Sequence, residues 1–238
     1  EGKTVTESVT FIPSSSSHNE TQTIVLRSPH LWNGRKDPHL YSVSVEILEN
    51  DVVKDGIEQA IGLRYFSVDA ERGFFLNGEH YPLHGVNRHQ DRENKGWAIS
   101  PDDQREDFRL IEEMGCTALR LAHYQHSREF YDLCDRGGMI VWAELALVDQ
   151  VDAQPAFLEN CKEQMRELIK QNYNNPSIMF WSLFNELLPE SNRELYGRIV
   201  AELNTLAKQL DPTRLTASAT RSGYGGDEFM NTVADVVG

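Results

Sequence analysis

Two polar residues, Asn185 and Glu186, close an otherwise apolar run at residues 176–186 (PSIMFWSLFNE). A carboxylate held at the end of a buried segment is a group that proton-transfer chemistry can use. Other short apolar runs end in the same way. Residues 83–86 lead into Asn87, Arg88, His89 and Asp91, and the run at 117–121 carries Arg120 and leads into His123 and Tyr124. The run at 139–143 contains Trp142 and ends at Glu144, while Trp181 sits within the Asn185–Glu186 run itself. Carboxylates, imidazoles, amides and indoles together suit a polyhydroxylated ligand. Aromatic faces cover sugar C–H surfaces, and His, Asn and Asp bond the hydroxyls. A redox cofactor would bring its own fingerprint, and none is present.

Glycoside cleavage uses two carboxyl groups, about 5–5.5 Å apart for retention or about 6.5–9.5 Å apart for inversion. Glu186 supplies one candidate. Asn185 beside it is placed to bond a sugar 2-hydroxyl, His89 and His123 to bind hydroxyls, and Arg120 to keep a second carboxylate ionised. Asp91, Tyr124, Glu144 and Trp181 are candidate substrate contacts. Each has a plainer reading. Arg120 could be a structural ion pair, His123 and Tyr124 could roof a core, and Glu144 could be a structural hydrogen-bonding group.

These residues converge only if the runs are parallel strands of one sheet. Residues 178–184 lack an outward polar face, which marks a strand buried on both sides. From residue 83 onward, strands alternate with helices. Ser100, Pro101, Asp102 and Asp103 open a helix as cap, first-turn proline and dipole-complementing acids. That helix places Phe108, Ile111 and Met114 at helical spacing and stops at Gly115. A second helix runs from Ser127 to Asp135, and a third carries Phe157, Cys161, Met165, Leu168 and Ile169 on one face. A fourth spans residues 193–210, and further strands follow at 215–219 and 233–237. A doubly wound sheet would show a glycine-rich loop after its first strand. Here that position reads Asn87-Arg88-His89-Gln90-Asp91, so a (β/α)8 barrel is expected, with about six of its strands in the chain.

Residues 1–67 read differently. Short alternating segments at 4–6, 8–11, 21–26 and 40–48, with a serine loop at 14–17 and a polar turn at 49–51, predict part of a β-sandwich. Asn77-Gly78 predicts a type I′ hairpin at the entry to the barrel, near residue 68. The expected domains are therefore 1–67 and 68–238.

Composition narrows the partners. The 238 residues carry a formal charge of −14 spread along the chain, which disfavours nucleic acid and anionic membrane surfaces. No apolar stretch is long enough to span a bilayer as a helix. Cys116, Cys134 and Cys161 have neither disulfide-framework nor zinc spacing and are expected to be buried thiols.

The motifs LHGVNRH (83–89), RLAHY (120–124), FYDLCD (130–135) and WSLFNE (181–186) together resemble glycoside hydrolase family 2, most closely its β-galactosidases. Leu31-Trp32 followed by Asp37-Pro38-His39-Leu40-Tyr41 is similar to the signature of the immunoglobulin-like domain that precedes the family's barrel. The resemblance thus spans nearly the whole chain. It implies a retaining exo-glycosidase that removes terminal β-D-galactose, with β-glucuronidase, β-mannosidase or a non-catalytic carbohydrate-binding relative as alternatives. It gives Glu186 as general acid/base, Asn185 as its 2-hydroxyl partner, His89 and His123 as transition-state stabilisers, and Arg120 near the nucleophile. The nucleophile itself would be a Glu beyond Gly238, for which neither Glu144 nor Glu190 substitutes. The chain is accordingly expected to be a fragment, inactive by itself because an unclosed barrel exposes sheet edges. A full-length homo-oligomer is compatible with the resemblance. Some relatives hold magnesium after the third barrel strand. Val148 and Gln150 stand at the matching positions and are poor ligands, so no metal and no cofactor is expected.

Overall fold

The structure, a computed structural model, describes residues 4–10, 21–188, 192–221 and 232–238. Phe11, the serine loop at 14–17 and Glu190 lie outside the described residues. The chain forms two compact units, residues 1–30 and 31–238. In the first unit the predicted strands at 4–6, 8–10 and 21–26 run as irregular chain among the described residues. Alternating side chains favour an extended backbone, but a strand also needs a ladder partner for its N–H and C=O groups.

The second unit begins with an antiparallel ribbon, β1 (Tyr41–Glu49) and β2 (Val52–Ile61), paired from Tyr41 opposite Ile61 to Glu49 opposite Val52 with a register shift between Ile47 and Leu48. Asn50 and Asp51 turn it with φ of 51° and 62°. The sequence predicts a half-buried β1. Only its first residues are partly covered, and Val45, Ile47 and Ile57 are exposed. Alternation prepared an apolar face, and that face stays exposed along the ribbon's outer half.

Next comes a three-stranded antiparallel sheet, β3 (Phe66–Asp69), β4 (Gly73–Leu76) and β5 (Glu79–His80). Asn77 and Gly78, at φ of 53° and 86°, make the predicted hairpin turn. Phe74, Leu76 and Tyr81 join Trp32 in a core cluster with Ile140, Met179, Phe180 and Ala217. This small sheet therefore covers the N-terminal side of the strands described next.

Those strands form one parallel sheet of six, in sequential order: β6 (Gly85–Arg88), β7 (Ala118–Leu121), β8 (Ile140–Glu144), β9 (Ile178–Asn185), β10 (Leu215–Ala219) and β11 (Val236–Val237). The helices α1 (Pro101–Glu113), α2 (Arg128–Gly137), α3 (Pro155–Asn172) and α4 (Arg193–Leu210) fill the crossovers from β6 through β10. Sequential order without a reversal is the progression of a (β/α)8 barrel, not of a doubly wound sheet. All four helices contribute to one core cluster with the sheet, through residues such as Phe108, Phe130, Met165 and Ile199 against Leu119, Val141 and Leu183.

Local chemistry matches the predicted helix starts. Ser100 and Asp103 form a reciprocal capping box around Pro101 at the first turn of α1. Met114 departs from expectation. It falls just past the end of α1 and is exposed, so it does not continue the Phe108–Ile111 face. Gly85 is demanded by contact: a Cβ there would lie 2.4 Å from the Ala118 carbonyl oxygen on β7. The three cysteines are free and buried.

Strand β9 is buried along its whole length, and its start is clasped from several sides. The guanidinium groups of Arg64 and Arg214 each donate to the Ile178 carbonyl at 2.8 Å. Arg214 also pairs with Asp211 at 2.7 Å. Burial, and then the neighbouring Arg214, pull Arg64 down to about 9. Asp135 accepts from Asn175 at 2.6 Å and from the Ser177 backbone at 3.1 Å, and burial pushes its carboxyl up to about 6. These contacts fix the register of the strand that ends at Asn185.

Candidate active site

The strand ends gather most of the predicted polar residues on the C-terminal side of the sheet. Their centre is Glu144, the last residue of β8, whose side chain has no exposed surface. Its Oε2 accepts from Arg120 Nε at 2.7 Å, Trp142 Nε1 at 2.8 Å and Ser182 Oγ at 3.2 Å. Its Oε1 accepts from Arg120 Nη2 at 3.1 Å and lies 2.8 Å from His123 Nδ1. The strand register explains the convergence. Arg120 pairs across β7 and β8 with Trp142, and Glu144 pairs across β8 and β9 with Ser182. Side chains of paired residues project to the same face.

Arg120 reaches one strand further. Its Nη2 donates to Asn185 Oδ1 at 2.7 Å. Asn185 is buried, donates its backbone N–H to the Leu147 carbonyl, and pairs with Ala219 across β9 and β10. Glu186 follows with φ of 50°, a left-handed backbone uncommon outside glycine. Its N–H is held by the Ala219 carbonyl at 2.8 Å, and its side chain is half-buried. The chain therefore turns sharply at Glu186.

His123 stands on the other side, next to a cis Ala122–His123 peptide. Its ring meets that of His89 edge-on, with centroids 4.9 Å apart, and His89 also lies 6.0 Å from the Tyr124 ring. The Tyr124 hydroxyl accepts from the Gln90 backbone at 3.0 Å. Asp91 is exposed on the same loop. Trp181 does not join this group. Its indole is fully buried on the helix-facing side of β9 and donates to Asp211 at 2.9 Å, so it supports the strand from behind.

Arg88 is a buried support as well. It pairs with Asp107 at 2.8 Å, lies over the Phe130 ring and contacts His126 Nδ1 at 3.0 Å. Burial is the main cause holding His126 down to about 3, so this imidazole is neutral. Sequence reasoning did not find two contributors. Trp97 is exposed and its ring packs 4.8 Å from Tyr124. Ser182 reads as a small residue in an apolar strand, yet it binds Glu144. Only knowledge of the β8–β9 register could have paired them. Val148 bridges to Asn185 through the backbone, and Gln150 lines a cavity of about 340 Å³ with Val151, Asn192 and Tyr196. Among the described residues no three metal-ligating side chains cluster.

Chemically, the strand ends offer one half-buried carboxylate without an ion pair among the described residues, one saturated carboxylate, an amide, and two histidines. That inventory fits an acid/base reaction on a hydroxylated ligand.

Comparison with known proteins bears on the same residues. Residues 68–236 match the TIM barrel domain of glycosyl hydrolases family 2, and residues 1–64 match a further domain described as glycosyl hydrolases family 2. A β-glucuronidase of Bacteroides fragilis is 47% identical over 205 residues, covering 83% of this chain and 29% of that protein. A β-galactosidase of Bacteroides ovatus is 28% identical over 256 residues, covering 92% of this chain and 30% of that protein. The crystal structure of an FMN-binding β-glucuronidase from Facaelibacterium prausnitzii L2-6 superposes with a TM-score of 0.85 at 40% identity, covering 88% of this chain and 32% of that one. The chain thus spans about a third of the length of these relatives. Its architecture is the family's N-terminal domain followed by the TIM barrel domain, of which the six-stranded parallel sheet forms part. With both family domains matched in order, and the strand-end carboxylates lying inside the matched barrel, the chain belongs to glycoside hydrolase family 2.

Proposed function

We propose that the intact protein carrying this chain is a retaining exo-glycosidase in which Glu186 is the general acid/base. The observation that carries this reading is the contrast between two carboxylates. Glu144 is buried and surrounded by donors, whereas Glu186 leaves the end of β9 on a left-handed turn with its side chain half-exposed. A residue that protonates a leaving oxygen and later deprotonates water needs that access. Asn185 then serves the sugar hydroxyl beside the scissile bond, while His89, His123 and Arg120 line the sugar site. Asp91 and Tyr124 extend it. Glu144 is unsuited to act as nucleophile, because both oxygens are engaged by Arg120, His123, Trp142 and Ser182. The second carboxylate is assigned to a residue following Gly238. The domain division is proposed at residue 67, with the immunoglobulin-like part before it and the barrel after it.

For the sugar, the glucuronidase relative at 47% identity supports a terminal β-D-glucuronide. A terminal β-D-galactoside is the second reading, favoured by the motif resemblance and by the B. ovatus relative. The test compares kcat/KM of the intact protein on 4-nitrophenyl β-D-glucuronide and β-D-galactoside, with the product anomer followed by NMR. Turnover of either with retention supports the glycosidase reading, and the larger kcat/KM chooses the sugar. Hydrolysis of neither, or inversion, overturns it.

No metal or cofactor is assigned to the reaction. The Val148 side chain has no ligand atom and that of Gln150 offers only a neutral amide. Unchanged activity after chelation is the expected result, and activity restored only by magnesium would contradict it.

A further inference from the structure

We propose that Glu144 is the positioning residue of this site: one buried carboxylate that sets which atoms His123 and Asn185 present to a sugar. The proposal rests on the glycosidase reading for its ligand, but its geometric half stands independently. Four donor contacts converge on the two oxygens of Glu144, from Arg120 twice, Trp142 and Ser182, and His123 Nδ1 makes a fifth polar contact. An ionised carboxylate only accepts. His123 Nδ1, 2.8 Å away, must therefore carry the hydrogen, and the tautomer so selected leaves Nε2 as a lone pair.

Arg120 removes the alternative. Its Nη2 has two hydrogens, and two acceptors take them, Glu144 Oε1 at 3.1 Å and Asn185 Oδ1 at 2.7 Å. The 3.3 Å approach of the same Nη2 to His123 Nδ1 is left with no hydrogen, so His123 Nδ1 is free to be the donor to Glu144. The same bond fixes the Asn185 amide. With Oδ1 turned to Arg120, Nδ2 is the group left to donate to a ligand.

The site thus acquires a defined polarity, an acceptor at His123 Nε2 and a donor at Asn185 Nδ2. Sugar hydroxyls fit both, donating to the first and accepting at the second. Rotating the amide or moving the imidazole proton would reverse the role each group offers, so that a hydroxyl already committed by its other bonds would no longer fit. Glu144 sets both without touching the ligand, the second through Arg120.

The test uses the intact protein labelled with 15N-histidine, with the His123 signals assigned by their loss in His123→Gln. In the wild type, the expected spectrum shows His123 protonated at Nδ1. A His123 protonated at Nε2, alone or together with Nδ1, overturns the proposal, whether or not any variant folds. In Glu144→Gln the carboxamide cannot accept at both positions. The Nδ1–H form is expected to be lost, and kcat/KM to fall about 100-fold, alike for substrates with good and poor leaving groups. An unchanged His123 spectrum with unchanged kcat/KM contradicts it. If the wild type cleaves neither glycoside, the glycosidase reading fails while the His123 spectrum still decides the positioning claim.

Discussion

Arg120 donates to Asn185 across two strand gaps, from β7 past β8 to the end of β9, at 2.7 Å. The same guanidinium holds Glu144 in a two-point fork at 2.7 and 3.1 Å. A planar fork serves three strands in a way that a single ammonium cannot. Arg120→Lys is expected to keep the fold but to lower kcat/KM by about 100-fold, measured on the intact protein. Arg120→Met leaves Glu144 buried with its main cation gone. A loss of about 3–5 kcal/mol in urea unfolding is expected, and a loss below about 1 kcal/mol would contradict the burial argument.

The close approach of β6 and β7 gives a second prediction, independent of the chemistry. A methyl group at Gly85 would lie 2.4 Å from the Ala118 carbonyl oxygen, which belongs to the backbone of a packed strand. Gly85→Ala is expected to cost about 1–3 kcal/mol as overpacking, read from the urea midpoint. A neutral or stabilising effect would show that the two strands separate without penalty.

Asp135 makes stability depend on pH. Burial raises its folded carboxyl to about 6, above the ordinary carboxylate range. Folding thus favours the neutral form. The contribution is fully present below about pH 4 and is lost as pH rises through 6. Asp135→Asn lacks this loss. Relative to wild type, the variant should gain stability between about pH 4 and 6, on the order of 2–3 kcal/mol across the window. Urea midpoints of both proteins from pH 4 to 7 measure it, and a constant difference would contradict the assignment.

Much of the barrel was legible because its signals are local. Ser100, Pro101 and Asp103 cap α1 through residues three apart, and Asn77-Gly78 turns its hairpin within two residues. The unbroken apolar stretch of β9 announced a strand covered on both faces. The failures concern what covers a surface. The alternation in β1 specifies an apolar face, but whether that face is buried depends on a partner that local sequence does not encode. At the site, residue types and strand-end position brought together Arg120, His123, Glu144, Asn185 and Glu186. Trp181 is a candidate contact by residue type, but period-2 alternation decides its face, and its indole points to Asp211 behind the sheet. The hub role of Glu144 depends on cross-strand register with Arg120 and Ser182, which emerges only once β7, β8 and β9 are paired.

The assignment of Glu186 as acid/base is tested most directly by leaving-group dependence. An acid that protonates the departing oxygen matters most for poor leaving groups and little for one that departs as a stabilised anion. In the intact protein, Glu186→Gln is expected to retain formation of the glycosyl-enzyme intermediate from a 2,4-dinitrophenyl glycoside, seen as a burst of released phenolate. It should lose most turnover of the corresponding alkyl glycoside, by about 100-fold or more. Equal turnover of the alkyl glycoside by wild type and variant would contradict the account.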